Sequence, residues 1–178
     1  TLQHALKDPD HNQFPVFDYQ VGVASLYKTD SGCVPSFQQY LSKNKSDLYI
    51  KDCWQKMAFA WYVTGNMQKA QYCRKQIKLH GTTRIDADKQ AEKFAEDDKW
   101  PNKKILQARL LIEGGYNNEA FQILSGIAPT TLSDPADKSE YFFRLGRVYE
   151  ESENNVKALA CYRSAINTGM NRHEQFGA

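Results

Sequence analysis

Histidines are the first residues of this chain to test for metal chemistry. They stand far apart, in predicted loops or near the chain ends: His4, His11, His80 and His173. None is followed by a second histidine or a carboxylate at the spacing of metal ligands, so surface histidines are expected and no metal site is predicted.

Two acidic clusters could in principle provide paired carboxylates for acid–base catalysis: Asp86 with Asp88, and residues 96–98. The segment 83–98 has the pattern of a helix, however, and Asp86 and Asp88 would complement the positive end of its dipole. Residues 96–98 would crowd the negative end, which the sequence does not explain. No catalytic residue is predicted, and we expect that the protein is not an enzyme.

The four cysteines lack any C-x-x-C pairing: Cys33, Cys53, Cys73 and Cys161. Buried free thiols are the favoured interpretation, with disulfides left open. No glycine-rich phosphate loop or nucleophile elbow occurs, so no cofactor is expected.

The overall charge is small, at +2 for 178 residues. Five basic residues lie within the segment 69–84: Lys69, Arg74, Lys75, Lys78 and Arg84. This run could meet an acidic partner or nucleic acid, but a solvated helix face is favoured, and no nucleic acid is predicted as a partner. No apolar run approaches the roughly 18 residues that span a bilayer, so no membrane insertion is expected. The chain begins with Thr1 rather than Met, so we expect a processed protein or part of a longer one.

The segment 141–166 contains the clearest structural pattern. Apolar residues three and four apart define one face of a first helix: Phe142, Leu145 and Tyr149. After a polar break, a second apolar stripe follows: Val156, Leu159, Tyr162 and Ile166. Gly146 on the first helix, and Ala158 and Ala165 on the second, would let the two helices approach closely. The segment therefore predicts a helical hairpin.

This hairpin resembles the tetratricopeptide repeat, a helix–turn–helix unit of about 34 residues. The residues that carry the resemblance are Phe142, Leu145, Gly146, Tyr149, Ala158, Tyr162 and Ala165. Met170 stands where the family usually has proline. Trp54 and Ala70 have the same sixteen-residue spacing as Phe142 and Ala158, so residues 51–84 form a second clear copy.

Weaker copies complete the pattern. The repeats are predicted at about 17–50, 51–84, 101–134 and 139–172, with an inserted helix at about 83–98 and a leading segment at 1–16. In the first repeat, Val23-Ala24 stands where the fourth repeat has Leu145-Gly146. With Gly81 and Asp86–Asp88, the inserted helix is similar to those of bacterial proteins of this class. The predicted fold is all-α: an α-solenoid over 17–178, with four hairpins and one inserted helix.

The resemblance implies a concave face, formed by the first helices, that binds a peptide or protein. The residues projected onto it are Lys28, Gln55, Phe59, Tyr62, Asn102, Arg109, Phe143, Arg147 and Glu150. Aromatic residues flanked by arginine favour peptide binding. The alternative is that the inserted helix, or another segment, covers this face. The chaperone-docking branch of the family requires Lys and Asn at positions that here hold Val21, Ser25, Phe59 and Leu106, so that branch is not expected.

We therefore predict a non-catalytic interaction scaffold for a peptide or protein partner. The alternative is an accessory repeat module of a larger enzyme or membrane-anchored assembly. Self-association of the chain is compatible with either hypothesis.

Overall fold

The structure, a computed structural model, describes residues 14–169. This range contains nine α-helices and no β-strand, so the predicted all-α class is confirmed. The helices are α1 (Val16–Leu26), α2 (Cys33–Lys43), α3 (Ile50–Val63), α4 (Met67–Leu79), α5 (Asp86–Glu96), α6 (Lys103–Glu113), α7 (Asn117–Ser125), α8 (Pro135–Glu151) and α9 (Asn155–Asn167). A short 3₁₀ turn, Pro129–Thr131, precedes α8. Most of the predicted leading segment, 1–16, lies outside the described residues.

Polar caps determine where four of the helices begin. Asn66, Asn102 and Asn154 each accept a hydrogen bond from a backbone N–H in the first turn of α4, α6 and α9. Asp134 does the same for α8, where Pro135 occupies the first helical position. These side chains satisfy donors that have no partner within the helix. Because of this cap, α8 begins four residues before the predicted start of the fourth repeat.

Four pairs of consecutive helices form hairpins: α1 with α2, α3 with α4, α6 with α7, and α8 with α9. The contacts divide the chain into two compact units, Thr1–Lys99 and Trp100–Ala178. The boundary falls where the sequence predicts the end of the inserted helix and the start of the third repeat.

Within each unit the next helix packs against both members of the preceding hairpin. In the first unit α3 packs on α1 and α2, and α5 packs on α3 and α4. In the second unit α8 packs on α6 and α7. The predicted inserted helix, α5, therefore makes the same kind of contact as a first helix of the next hairpin.

Close helix approach at Gly146 follows from the space around it. A Cβ built on Gly146 would lie 2.6 Å from Cε1 of Tyr162, which is closer than van der Waals contact allows. In the first hairpin Gly22 plays this part, because its Cβ would lie 2.7 Å from the ring of Phe37. Ala24, which the sequence suggested for this place, is exposed instead. The close contact of α1 therefore lies two residues earlier than predicted.

A second device closes two of the hairpins. The Lys51 Nζ at the start of α3 donates to the Ile77 carbonyl near the end of α4, at 2.7 Å. Ser139 Oγ in α8 donates to the Ala165 carbonyl of α9, also at 2.7 Å. In both cases donor and acceptor are 26 residues apart. The first bond satisfies a carbonyl in the last turn of α4, where carbonyls lack partners within the helix, and the second adds to the bonds that the Ala165 carbonyl accepts from Thr168.

The apolar stripe predicted for α9 is only partly directed inward. Ala158 and Ala165 are buried, whereas Val156, Leu159 and Ile166 are 83%, 51% and 53% exposed. Of the four residues of the predicted stripe, Tyr162 does face α8, where its ring occupies the space that Gly146 leaves open. Val156, Leu159 and Ile166 lie on the outer side of α9, contrary to the prediction.

None of the helices within residues 14–169 combines the length and the apolar character needed to cross a membrane.

Candidate functional site

The nine residues predicted for one concave face belong to the two different units, and each group is described within its own unit. In the first unit, Phe59 is only 9% exposed, and its ring meets the ring of Phe94 on α5 at 4.9 Å between centroids. Gln55 and Tyr62 are half-buried on the same helix, α3, and Lys28 is exposed in the turn after α1. For Phe59 the alternative interpretation applies, because α5 covers it.

Asp88 fixes the N-terminal part of α5 onto α3. Its side chain is fully buried and accepts hydrogen bonds from the backbone N–H of Tyr49, at 2.9 Å, and of Asp52, at 3.0 Å. Tyr49 precedes α3 and provides no side-chain cap itself. Asp88 lies in the first turn of α5, as predicted, and its side chain in addition caps the N-terminus of the neighbouring helix α3.

The charge state of Asp88 reflects two opposing effects. Burial raises the pKa of this carboxyl group, whereas the backbone N–H groups of α3 lower it. The nearby Asp86 is exposed and pairs with Lys89, which lowers the Asp86 pKa. These two carboxylates therefore have separate structural partners.

Arg74 of α4 fixes the opposite end of α5. Its guanidinium donates to the carbonyl of Phe94 at 2.8 Å and to that of Lys99 at 3.1 Å. It also lies over the Phe94 ring, 4.5 Å from the centroid. The acidic residues 97 and 98 are close enough to raise the Arg74 pKa, although burial lowers it more. Asp97 and Asp98, which the sequence places at the negative end of α5, thus lie near the positive charge of Arg74.

Lys51 makes a third link to α5. The Lys51 ammonium donates to the Ile77 carbonyl and also lies within ion-pair distance of Glu92 Oε2. The geometry at that carboxylate oxygen is not that of a hydrogen bond. Three side chains thus hold α5 against the preceding hairpin: its own Asp88, Arg74 of α4 and Lys51 of α3. The groove predicted for the first unit is therefore occupied at Phe59 by a part of the same chain.

In the second unit, α6 and α8 together present a charged face. We define the α6–α8 face by six residues: Arg109, Glu113, Glu140, Phe143, Arg144 and Arg147. Glu113 of α6 accepts from Arg144 at 3.3 Å and from Arg147 at 3.1 Å, so the two helices are bridged by ion pairs. Glu140 accepts from Arg144 Nε at 2.7 Å within α8.

Arg144 is the buried centre of this network. Burial lowers the pKa of its guanidinium, Glu140 and Glu113 raise it, and Arg109 lowers it as a nearby like charge. Sequence reasoning missed Arg144, since it assigned the inward stripe to the apolar neighbours. The only signal was the four-residue spacing from Glu140 to Arg144, which favours an ion pair on a helix.

The remaining predicted residues of the second unit have different roles. The Asn102 side chain caps α6, and the backbone N–H of Asn102 donates to Asp137 Oδ1 at 3.1 Å. Glu150 accepts from the Tyr162 hydroxyl at 2.6 Å. Phe143 is half-buried, and its ring centroid lies 5.1 Å from the Arg144 guanidinium and 5.9 Å from the centroid of the Tyr162 ring.

Arg109 is the exposed cation of the α6–α8 face. It lies four residues before Glu113 on α6, but within residues 14–169 no carboxylate lies at ion-pair distance from it. The face thus holds three arginines against two glutamates, and both glutamates are bound to Arg144. This leaves Arg109 available to a carboxylate from outside the face.

The thiols of the described chain are free, as favoured from the sequence. Cys33, Cys53 and Cys73 are buried, and burial raises the pKa of Cys73 to about 11 and that of Cys33 to about 12. Such thiols are poor nucleophiles at neutral pH. Over the described range, no three His, Cys, Asp or Glu side chains are grouped so that they could hold a metal ion.

Comparison of this chain with protein-family models, with curated proteins and with solved structures gives no match.

Proposed function

We propose that this protein is a non-catalytic scaffold of the tetratricopeptide-repeat type, an α-solenoid that binds a peptide or protein surface. The repeat assignment is supported by the equivalent closures of two hairpins, in which Lys51 and Ser139 each donate to a carbonyl 26 residues later. It is further supported by the glycine–aromatic contacts at Gly22 and Gly146. A binding role fits the carboxylates of α5 better than a catalytic one, because Asp86 and Asp88 are engaged in structural contacts.

The α6–α8 face is the proposed binding surface. The observation that carries this proposal is the exposed guanidinium of Arg109, which lies beside a network of paired charges and has no carboxylate partner among residues 14–169. Arg147 and the partly exposed Phe143 lie on α8 of the same face. An arginine beside an aromatic ring suits a peptide that offers a carboxylate and an apolar side chain.

A peptide library displayed on phage and selected against residues 1–178 tests this proposal. We expect the selected peptides to contain Asp or Glu next to an aromatic or aliphatic residue. The Arg109→Glu variant should weaken their binding at least about tenfold, equivalent to about 1.4 kcal/mol, because an attraction becomes a repulsion.

Lys104→Glu is the matched control. Lys104 is also exposed on α6, and its replacement by Glu changes the net charge by the same amount as Arg109→Glu. It lies on the other side of the helix from Arg109. Its effect should stay within about twofold at 0.15 M salt, where distant charges are screened. Equal losses for the two variants, or a selection that yields no binding peptide, would contradict the proposed site.

A further inference from the structure

The two hairpins of the second unit correspond residue by residue at their turns. After α6, the backbone N–H of Tyr116 donates to the Leu111 carbonyl at 2.9 Å. After α8, the backbone N–H of Asn154 donates to the Tyr149 carbonyl at 2.8 Å. In both helices an arginine of the α6–α8 face stands two residues before the accepting carbonyl, so these two arginines occupy equivalent positions.

The equivalent arginines, Arg109 and Arg147, differ in their partners. Arg147 Nη1 donates to Glu113 Oε1 at 3.1 Å, and Glu113 belongs to the first helix that precedes α8. No first helix precedes α6 within the second unit, and among the described residues no carboxylate lies at ion-pair distance from Arg109. The order of the helices thus accounts for one paired and one open arginine at the same position.

Glu113 can release Arg147 without leaving a buried charge alone. Its Oε1 also accepts from Arg144 Nη1 at 3.3 Å. Arg144, whose side chain is 9% exposed, has a second carboxylate, because its Nε donates to Glu140 Oε1 at 2.7 Å. The side chains of Glu113 and Arg147 are 35% and 25% exposed. Since water screens an ion pair at such a place, its exchange for another carboxylate costs little free energy.

We infer that Glu113 is an internal competitor for the acidic group of the partner on the α6–α8 face. In the free protein Glu113 neutralises Arg147, whereas Arg109 is open to the partner. In the complex the partner's carboxylates pair with both arginines, and Glu113 retains Arg144. This inference rests on the proposed function, and it adds that a residue of the chain itself limits the affinity of the site.

Glu113→Gln tests the inference, with the most tightly bound peptide from the phage selection as the probe. The amide keeps the size of the side chain and removes the charge that pairs with Arg147. Isothermal titration calorimetry should show about three- to fivefold tighter binding, because an exposed ion pair no longer has to be broken. Glu119→Gln is the matched control, since it removes an equal charge from an exposed position of α7 and should change the affinity by less than about twofold.

A double-mutant cycle separates competition from general repulsion. If Glu113 acts by occupying Arg147, Glu113→Gln should have no effect in an Arg147→Gln background, because the contested guanidinium is absent. A charge that only repels the acidic peptide would give the same gain in both backgrounds. Circular dichroism checks that each variant is folded. If Glu113→Gln is not, Glu113→Asp takes its place, because it keeps the charge beside Arg144 but shortens the side chain, and it should give a smaller gain in the same direction.

The outcomes separate this inference from the proposed function. A peptide that Arg109→Glu weakens but Glu113→Gln does not strengthen would leave the proposed function in place and overturn the inference. An equal gain in both Arg147 backgrounds, or the same gain for Glu119→Gln, would overturn it too. A selected peptide that is indifferent to Arg109→Glu would contradict the proposed site, and the inference would fall with it.

Discussion

The two units close a hairpin with the same hydrogen bond but use it differently. In the first unit the donor is Lys51, whose ammonium also pairs with Glu92 and so helps to hold α5. In the second unit the donor is Ser139, whose short neutral side chain donates only to the Ala165 carbonyl. At equivalent positions the first unit thus has a residue that also pairs with the next helix, and the second unit has a residue with a single acceptor.

The interiors of the units differ in the same sense. The first unit buries several charged side chains, among them Asp18, Asp52 and Asp88, each with a hydrogen-bond or ion-pair partner. The core of the second unit is built mainly from aliphatic residues of α6 and α7 against Tyr141 and Val148 of α8, with Arg144 as a buried charge paired to Glu113 and Glu140. Buried charges require partners at fixed places, so the first unit specifies where α5 lies. Apolar packing in the second unit sets no such condition on the outer side of α9.

The largest expected effect concerns Phe59 and tests whether α5 covers the first unit. Phe59→Ala should reduce the free energy of unfolding of this unit by about 3 kcal/mol, since a nearly buried ring and its contact with Phe94 are lost. Phe143→Ala, at a half-buried position of the second unit, should remove about half as much. Native-state hydrogen exchange, resolved by unit, measures both. A Phe59→Ala protein of unchanged stability would place Phe59 in an open groove instead.

A smaller effect is expected for the cap that joins α5 to α3. Asp88→Ala leaves the backbone N–H groups of Tyr49 and Asp52 without their acceptor in a buried place, which should destabilise the first unit by about 2 kcal/mol. Asp86→Ala is the control, because solvent screens this exposed pair with Lys89, so its loss should leave the stability nearly unchanged. Urea unfolding followed by circular dichroism distinguishes them. Similar losses for both variants would remove the distinction between a capping and a surface carboxylate.

The smallest effects concern the close helix approach that the units share. Gly146→Ala places a Cβ against the Tyr162 ring, and Gly22→Ala places one against the Phe37 ring. Overpacking should outweigh the gain in helix propensity and leave a net loss of about 1 kcal/mol in each unit. Gly126→Ala, where the new Cβ would meet only ordinary contacts, should change the stability by less than about 0.5 kcal/mol.

A double variant sharpens this last test. In a Tyr162→Leu background, Gly146→Ala should no longer destabilise the second unit, because the ring that it strikes is absent. If Gly146→Ala is equally harmful in both backgrounds, the contact with Tyr162 is not the reason for the glycine.

The amino-acid pattern alone was enough to predict the all-α class and the reason for a small residue at Gly146. Both follow from local patterns: side chains three and four residues apart share a helix face, and a glycine inside a helix is otherwise unfavourable. It also favoured free thiols correctly. It could not identify the partners of Asp88, Phe59 and Arg144, which lie on helices 30 or more residues away in the chain. The packing of the helices was needed to show that α5 covers Phe59, that no carboxylate of residues 14–169 pairs with Arg109, and that Val156, Leu159 and Ile166 lie outward on α9. The physical reason is that periodicity defines the two faces of a helix, but only the distance between packed helices decides which face is buried.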